Sequence, residues 1–271
     1  MTKINFLLLK RHSKFSHSIW LILCLLSLGF VNVWQPTQAT EVAQSTSSAA
    51  PTELRNLLTQ IDSAASKGDV KGVLQFLSPT FTHGDGLNRR TLEKALVTFW
   101  QTYPKLQYTT QVQSWKSEGN AIVAETVTNI TGSGKNNLTL NATIRSRQRI
   151  AGGKITRQEI LAERTLVTSG NKPPQIDFKL PQQVKVGQQY NFDAVVQEPL
   201  GDDLLLGTAL EEPVQPDKYL KSTPVELQPL NSGGLFKVGR APSTPGNRWV
   251  SAVILRGGGM TMVTQRLQVV R

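Results

Sequence analysis

At 271 residues the chain has room for one large domain or two modest ones. Its 39% hydrophobic content is that of a globular protein and excludes a multi-span membrane protein. The formal charge of +11 is uneven: Lys3, Lys10, Arg11 and Lys14 precede residue 40 with no acid among them, and the remaining excess lies in residues 40–172. A mild basic surface of this kind favours an acidic partner or anionic lipid. Without a dense basic run or a reading motif it does not point to nucleic acid.

Residues 1–39 have the plan of a secretory signal: a basic start, an apolar run from Ile19 to Val33, and a short polar tail with Thr37 and Ala39 as the cleavage pair. The apolar run is shorter than the roughly 20 residues that span a bilayer. Trp20 and Trp34 bracket it like interface anchors, so an uncleaved anchor stays open beside cleavage. Membrane attachment is expected only through this segment. Cys24, the single cysteine, lies inside it. The mature chain then has no disulfide, no thiol nucleophile and no thiolate metal site. These features predict an exported protein, periplasmic or extracellular. Residues 40–50 are small and polar, a flexible tether.

Folded structure is expected from Pro51. Leu54, Leu57, Leu58, Ile61 and Ala65 form one apolar helical stripe, with Thr52 as the expected N-cap. Gly68 suits the left-handed position after this helix, and Asp69 caps a short second helix that buries Val70, Val73, Leu74 and Leu77 before Ser78-Pro79. A third helix runs from Arg89 to Tyr103. Asn88 caps it, Leu87 and Leu92 staple it, and Pro104 ends it. Four strands follow at 106–115, 121–131, 138–150 and 155–168, an antiparallel meander with one apolar and one polar face. In the third, Leu138, Leu140, Ala142 and Ile144 point one way, and Arg145, Arg147 and Arg149 the other. Residues 170–174 read as a linker. Residues 175–271 read as all-β, with strands expected at 176–180, 188–197, 204–210, 225–230, 234–238, 249–256 and 260–270.

Residues 51–169 resemble a nuclear transport factor 2-like domain, of the SnoaL-like or ketosteroid isomerase-like kind. The resemblance rests on the helix-one stripe, the Lys67-Gly68-Asp69 link, Phe76-Leu77, the Phe81-Thr82-His83-Gly84-Asp85-Gly86 segment, helix three and the strand meander. It implies an α+β cone, three helices on a curved antiparallel sheet; the seven short strands expected after it suggest, by analogy, an all-β immunoglobulin-like sandwich. It also places Asp85, with His83 beside it, where ketosteroid isomerases carry their catalytic carboxylate. A carboxylate inside an apolar cone has its pKa raised toward proton-transfer range. The partners of such a base are missing: Ile61 stands where those enzymes have the oxyanion-hole tyrosine, and residues 144–148 carry no acid. A polar turn in which Asp85 bonds nearby backbone is the competing expectation.

Two further sites follow from residue type. Phe81, Trp100, Tyr103, Tyr108 and Trp115 either line a pocket for a small apolar molecule or simply fill the cone. Arg145, Arg147 and Arg149 either grip an acidic partner or form a solvated face neutralised by Glu159 and Glu163. A three-residue hairpin turn would set Arg145 opposite Glu159, and a two-residue turn would not. His83 is the only histidine outside the signal, so no metal site is expected, and no motif calls for a cofactor. The leading expectation is a non-enzymatic exported module that binds a small apolar ligand or an envelope protein. The alternatives are a lyase or isomerase using Asp85 as base, and a homodimerisation unit.

Overall fold

The computed structural model describes residues 49–201, 203–230 and 233–271. The expected signal, its cleavage site and Cys24 lie outside them. The described chain is α+β and mostly sheet. Helix α1 (Thr52–Ser66) buries its expected stripe, but Pro51 rather than Thr52 occupies the N-cap, and no side chain caps it. Helix α2 (Val70–Leu74) starts at Asp69, whose carboxylate accepts the Gly72 N–H at 2.9 Å. It stops at Leu74. Leu77 belongs instead to strand β1 (Leu77–His83), so Ser78-Pro79 sits within a strand and not after a helix. Helix α3 (Arg89–Thr102) has a reciprocal capping box between Asn88 and Thr91, with the staple residues Leu87 and Leu92 buried below it.

The meander consists of β2 (Lys105–Glu118), β3 (Ala121–Ser133), β4 (Thr139–Ala151) and β5 (Lys154–Gly170). Strand β1 joins it as a parallel partner of β5. The remaining strands are β6 (Ile176–Lys179), β7 (Gln183–Lys185), β8 (Gln189–Val196), β9 (Leu206–Pro213), β10 (Gln228–Pro229), β11 (Gly234–Arg240), β12 (Gly246–Arg256) and β13 (Gly259–Val270). Strand β9 begins later than expected, and only two residues of the expected 225–230 strand pair.

The sheet does not stop at Gly170. Strand β13 runs antiparallel along β5, with Thr261 opposite Thr168 and Gln265 opposite Arg164. The order β10-β9-β12-β13-β5-β4-β3-β2 therefore passes through both halves of the chain. The two backbones meet closely where β5 ends: a Cβ on Gly170 would lie 2.5 Å from the Gly258 carbonyl oxygen. The expected linker is bonded down as well. The Lys172 N–H donates to Gly258 at 2.9 Å, and the Thr261 hydroxyl to the Pro174 carbonyl at 2.6 Å.

Two apolar cores lie along this sheet. The helices pack over the inner faces of β2–β5 in one. In the other, a second sheet of order β11-β8-β6 buries Phe178, Tyr190, Phe192 and Leu235 against Val250, Ile254, Val263 and Leu267.

A bulge in β5 decides what the inner face carries. The register places Arg145 opposite Ala162 but Ser146 opposite Ile160, so Leu161 is the extra residue. Side chains alternate strictly along a strand, and one inserted residue turns everything beyond it to the other face. Glu159 thus stays on the outer face, while Glu163 turns inward and is buried. The expectation that Glu163 balances the outer arginines fails for this reason.

The open edge of β2 is held by α1. Asp62 accepts the Thr110 N–H at 2.7 Å and its hydroxyl at 2.6 Å, and Ser66 accepts the Tyr108 N–H at 2.9 Å. These bonds satisfy edge groups that would otherwise invite another strand. Replacing Asp62 with Ala is expected to cost about 1–3 kcal/mol in urea unfolding, since two donors lose a charged acceptor. A cost within error of zero would show that water replaces the carboxylate freely.

Candidate functional site

Asp85 sits in a turn between β1 and α3. The Gly84 N–H donates to Gln158 on β5 at 2.8 Å, the Gly86 N–H closes back on His83 at 2.9 Å, and Gly86 takes φ 83°, a left-handed value that suits glycine. This turn directs the Asp85 carboxylate toward β13. There Arg266 grips it with two parallel bonds, Nη1 to Oδ1 at 2.9 Å and Nη2 to Oδ2 at 2.8 Å. The same guanidinium reaches Glu163 through Nε at 3.1 Å and Nη2 at 2.8 Å. Tyr219, on a 3-10 turn at Pro216–Tyr219, donates its hydroxyl to Asp85 at 2.5 Å. Trp249 on β12 donates its indole N–H to the second Glu163 oxygen at 3.2 Å and stacks edge-on against Tyr219 at 4.9 Å. The side chain of Arg266 has 0% exposure and those of Asp85 and Glu163 have 2%, so water screens none of these charges.

The electrostatics follow from this packing. Burial raises the Asp85 pKa, but the charge and hydrogen bonds of Arg266 outweigh burial and hold it below the usual carboxylate range. Burial raises Glu163 further than Arg266 can offset, so its pKa ends above the usual range. Burial opposes the charge on Arg266, and the two carboxylates reverse that, so its pKa rises. His83 packs beside the cluster with Nδ1 accepting the Asp85 N–H at 3.1 Å, which assigns the ring proton to Nε2. Burial lowers its pKa to about 4, against Asp85 pulling upward.

This arrangement corrects two expectations. Asp85 is not a carboxylate poised near neutrality, because its pKa moves down and its oxygens already accept three bonds. Nor does its side chain bond nearby backbone, because its partners come from residues 134 and 181 positions away. Sequence reasoning missed Arg266, Glu163, Tyr219 and Trp249. One signal was present: an arginine in the otherwise apolar and small-polar run Met262-Val263-Thr264-Gln265-Arg266-Leu267 needs a buried partner.

Of the five aromatics, Phe81, Trp100, Tyr103 and Tyr108 are buried in the helix-backed core, and Trp115 is half-buried at its rim. Trp100 donates to the Tyr108 hydroxyl at 2.9 Å, tying α3 to β2. The inner face also holds buried polar atoms without a partner. They include both amide atoms of Gln158 and the Gln148 carbonyl oxygen, on residues directly opposed across β4 and β5.

The three arginines line the outer face. The hairpin turn is the two-residue Gly152-Gly153, and Arg147, not Arg145, lies opposite Glu159. Glu125 on β3 takes Arg145 at 3.0 Å and Arg147 at 2.7 Å, Glu159 lies 3.5 Å from Arg147, and Glu118 takes Arg149 at 2.6 Å. Apart from Arg145, these residues line an open groove of about 680 Å³ together with Trp115, Lys116 and Arg157. Its ion pairs are half in water and hold little free energy, so a partner's charges can replace them. Among the described residues no three His, Cys, Asp or Glu side chains converge as a metal site requires.

A family model described as a domain of unknown function, DUF8623, matches residues 171–270. No curated protein matches the chain. Among similar solved structures is Bd1075 of Bdellovibrio bacteriovorus, at 14% identity over 40% of this chain and TM-score 0.33; the match spans only 38% of the Bdellovibrio protein. A protein of unknown function with a cystatin-like fold from Nostoc punctiforme matches at 12% identity over 40% of this chain and 86% of its own, TM-score 0.33. Delta 5-3-ketosteroid isomerase from Mycobacterium sp. matches at 14% identity over 40% of this chain and 91% of its own, TM-score 0.29.

The imidazole gives a pH test. His83 titrates near 6.5 when unfolded and near 4 when folded. The unfolded chain therefore binds the proton first as pH falls, and stability drains away between those values by about 3 kcal/mol. Asp85 adds its loss only below its unfolded value of 3.8. In a series of urea unfolding curves, His83→Asn should flatten the decline between pH 6.5 and 4. Subtracting the variant from wild type removes Glu163, whose raised pKa acts with the opposite sign. Parallel declines in both proteins would exclude the buried neutral imidazole.

Proposed function

We propose that this chain is an exported, non-enzymatic binding module that works by contact with an envelope protein. One observation carries the reading: Asp85, the carboxylate that the resemblance sets in the place of a catalytic base, is engaged by Arg266 and Tyr219 of the chain's own C-terminal half. A general base needs a free lone pair within reach of the substrate proton. Asp85 has a lowered pKa and buried oxygens, which speaks against the lyase or isomerase alternative. The outer groove with Arg147, Arg149 and Arg157 supports contact, because it is open and its charges are exchangeable. The C-terminal half, with β6, β8 and β11 facing β9, β12 and β13, is read as an immunoglobulin-like sandwich joined edge-on to the cone. The basic, apolar and polar order of residues 1–39 supports export.

A double-mutant cycle tests the central observation. Arg266→Met should lose about 3 kcal/mol or more, since it leaves two buried carboxylates without their cation, and Asp85→Asn, in which Arg266 keeps Glu163, should lose about 1–3 kcal/mol for its charged hydrogen bonds. The double variant should lose clearly less than the two together. Near-wild-type stability of Asp85→Asn would release Asp85 as a candidate base and sink the reading. Contact is tested by native mass spectrometry on protein taken from its envelope fraction. A retained partner chain that disappears in Arg147→Glu/Arg149→Glu supports it, and a monomer in both opposes it.

A second reading rests on Gln148 and Gln158. The buried Gln148 carbonyl oxygen and the two amide atoms of Gln158, without partners, favour a bound small molecule that is polar, not the apolar one expected from the aromatics. A small molecule released on denaturation from wild type but absent from Gln158→Leu would establish it.

A further inference from the structure

Strand β11 is the edge of the three-stranded sheet, and among the described residues no strand bonds its outer side. Its ladder to β8 is unbroken from Gly234 to Arg240, with no bulge and no proline. The bonds flanking the ladder fix which groups are used. The Gly233 carbonyl accepts from Val196, and the Ala241 N–H donates to Gln188. In an antiparallel pair the bonded residues alternate. Leu235, Lys237 and Gly239 therefore bond toward β8, and Phe236 and Val238 turn both N–H and C=O outward.

The side chains of those same two residues are exposed, Phe236 by 53% and Val238 by 69%. They are two of the four large apolar side chains exposed among the described residues. An edge of this length is ordinarily blunted by bulges, prolines or covering segments. The contrast with β2 is internal, since α1 caps the N–H groups there through Asp62 and Ser66.

We propose that β11 is a docking strand for an extended segment of another protein. The segment adds to the sheet edge and places apolar side chains against Phe236 and Val238 on one face, a carboxylate beside Lys237 on the other, and an acid at its end near Arg240. Charge selects this occupant. Lys237 and Arg240 are exposed, and the strand carries no acid. A second copy of β11 would bring two more cations to the same edge, and like charges across strands oppose pairing. An acidic, alternating segment satisfies backbone, apolar face and charge together. The inference rests on the contact-module reading for its purpose, but its geometry is separate from the Asp85 cluster.

The test uses random dodecapeptides displayed on phage and selected on the full mature chain. Val238→Pro is the counter-screen. Its lost N–H faces the free edge, so the ladder to β8 keeps its bonds. Enriched peptides should alternate apolar and acidic residues and bind wild type about tenfold or more tightly than Val238→Pro, read by fluorescence anisotropy. Phe236→Asp, altered only at an exposed side chain, should weaken them likewise, and Lys237→Glu should shift selection toward basic peptides. Thermal unfolding checks that each variant folds. No enrichment, or equal binding to Phe236→Asp and wild type, would overturn the proposal. So would sedimentation showing a wild-type dimer that Val238→Pro or Phe236→Asp dissolves. None of these outcomes depends on the stability of the Asp85 variants, so the two readings fail separately.

Discussion

Arg266 carries a guanidinium into a place without water, and such a charge persists only beside carboxylates that can take its hydrogen bonds. It finds Asp85 from the turn before α3 and Glu163 from the far part of β5. Two carboxylates around one cation leave an imbalance that burial makes costly. The opposite pKa directions of Asp85 and Glu163 express how it is resolved: Asp85, with two parallel bonds and a tyrosine donor, keeps the charge more readily. The rest of the chain must cooperate to bring these groups together. Strand β13 has to lie along β5, the bulge at Leu161 has to turn Glu163 inward, and the turn at Pro216–Tyr219 has to lie against Gly86.

Burying this cluster is a matter of specificity as much as stability. A well-packed apolar substitute for a buried ion group is often as stable. What apolar side chains cannot do is distinguish one register of β13 against β5 from another. A slip of one residue would turn Arg266 to the opposite face and leave both acids buried without a cation. The cluster therefore fixes the pairing of strands whose partners lie 89 to 101 residues apart in the chain.

What the sequence disclosed and what it withheld divide along the same line. The α1 stripe, the Asn88 cap with its Leu87 and Leu92 staple, and the alternation of β4 are written in neighbouring residues, whose periods of 3.6 and 2 are local. The β1–β5 and β5–β13 pairings are not, because strands distant in sequence leave no periodic trace of whom they join. The bulge was hidden for a related reason: strict alternation put Glu163 on the outer face with Glu159, and nothing adjacent to Leu161 announces an extra residue. At Asp85 the position was legible but its environment was not. The pKa of a carboxylate is set by what faces it, and what faces it lies 181 residues on.

A helix-backed sheet with a buried acid in the turn before α3 invites a reading as an enzyme, yet a fold alone does not fix chemistry. Here the acid, the tyrosine hydroxyl and the imidazole that could serve proton transfer are turned on one another and on Arg266. Electrostatic preorganisation of this kind stabilises the resting protein, whereas catalysis requires that it be aimed at a reacting atom. Among the described residues, the exchangeable arginine pairs on the outer face and the edge of β11, which no strand covers, stay open to something outside the chain. A closed acid cluster beside an open edge strand and a charged outer face is the arrangement that the proposed contact function requires.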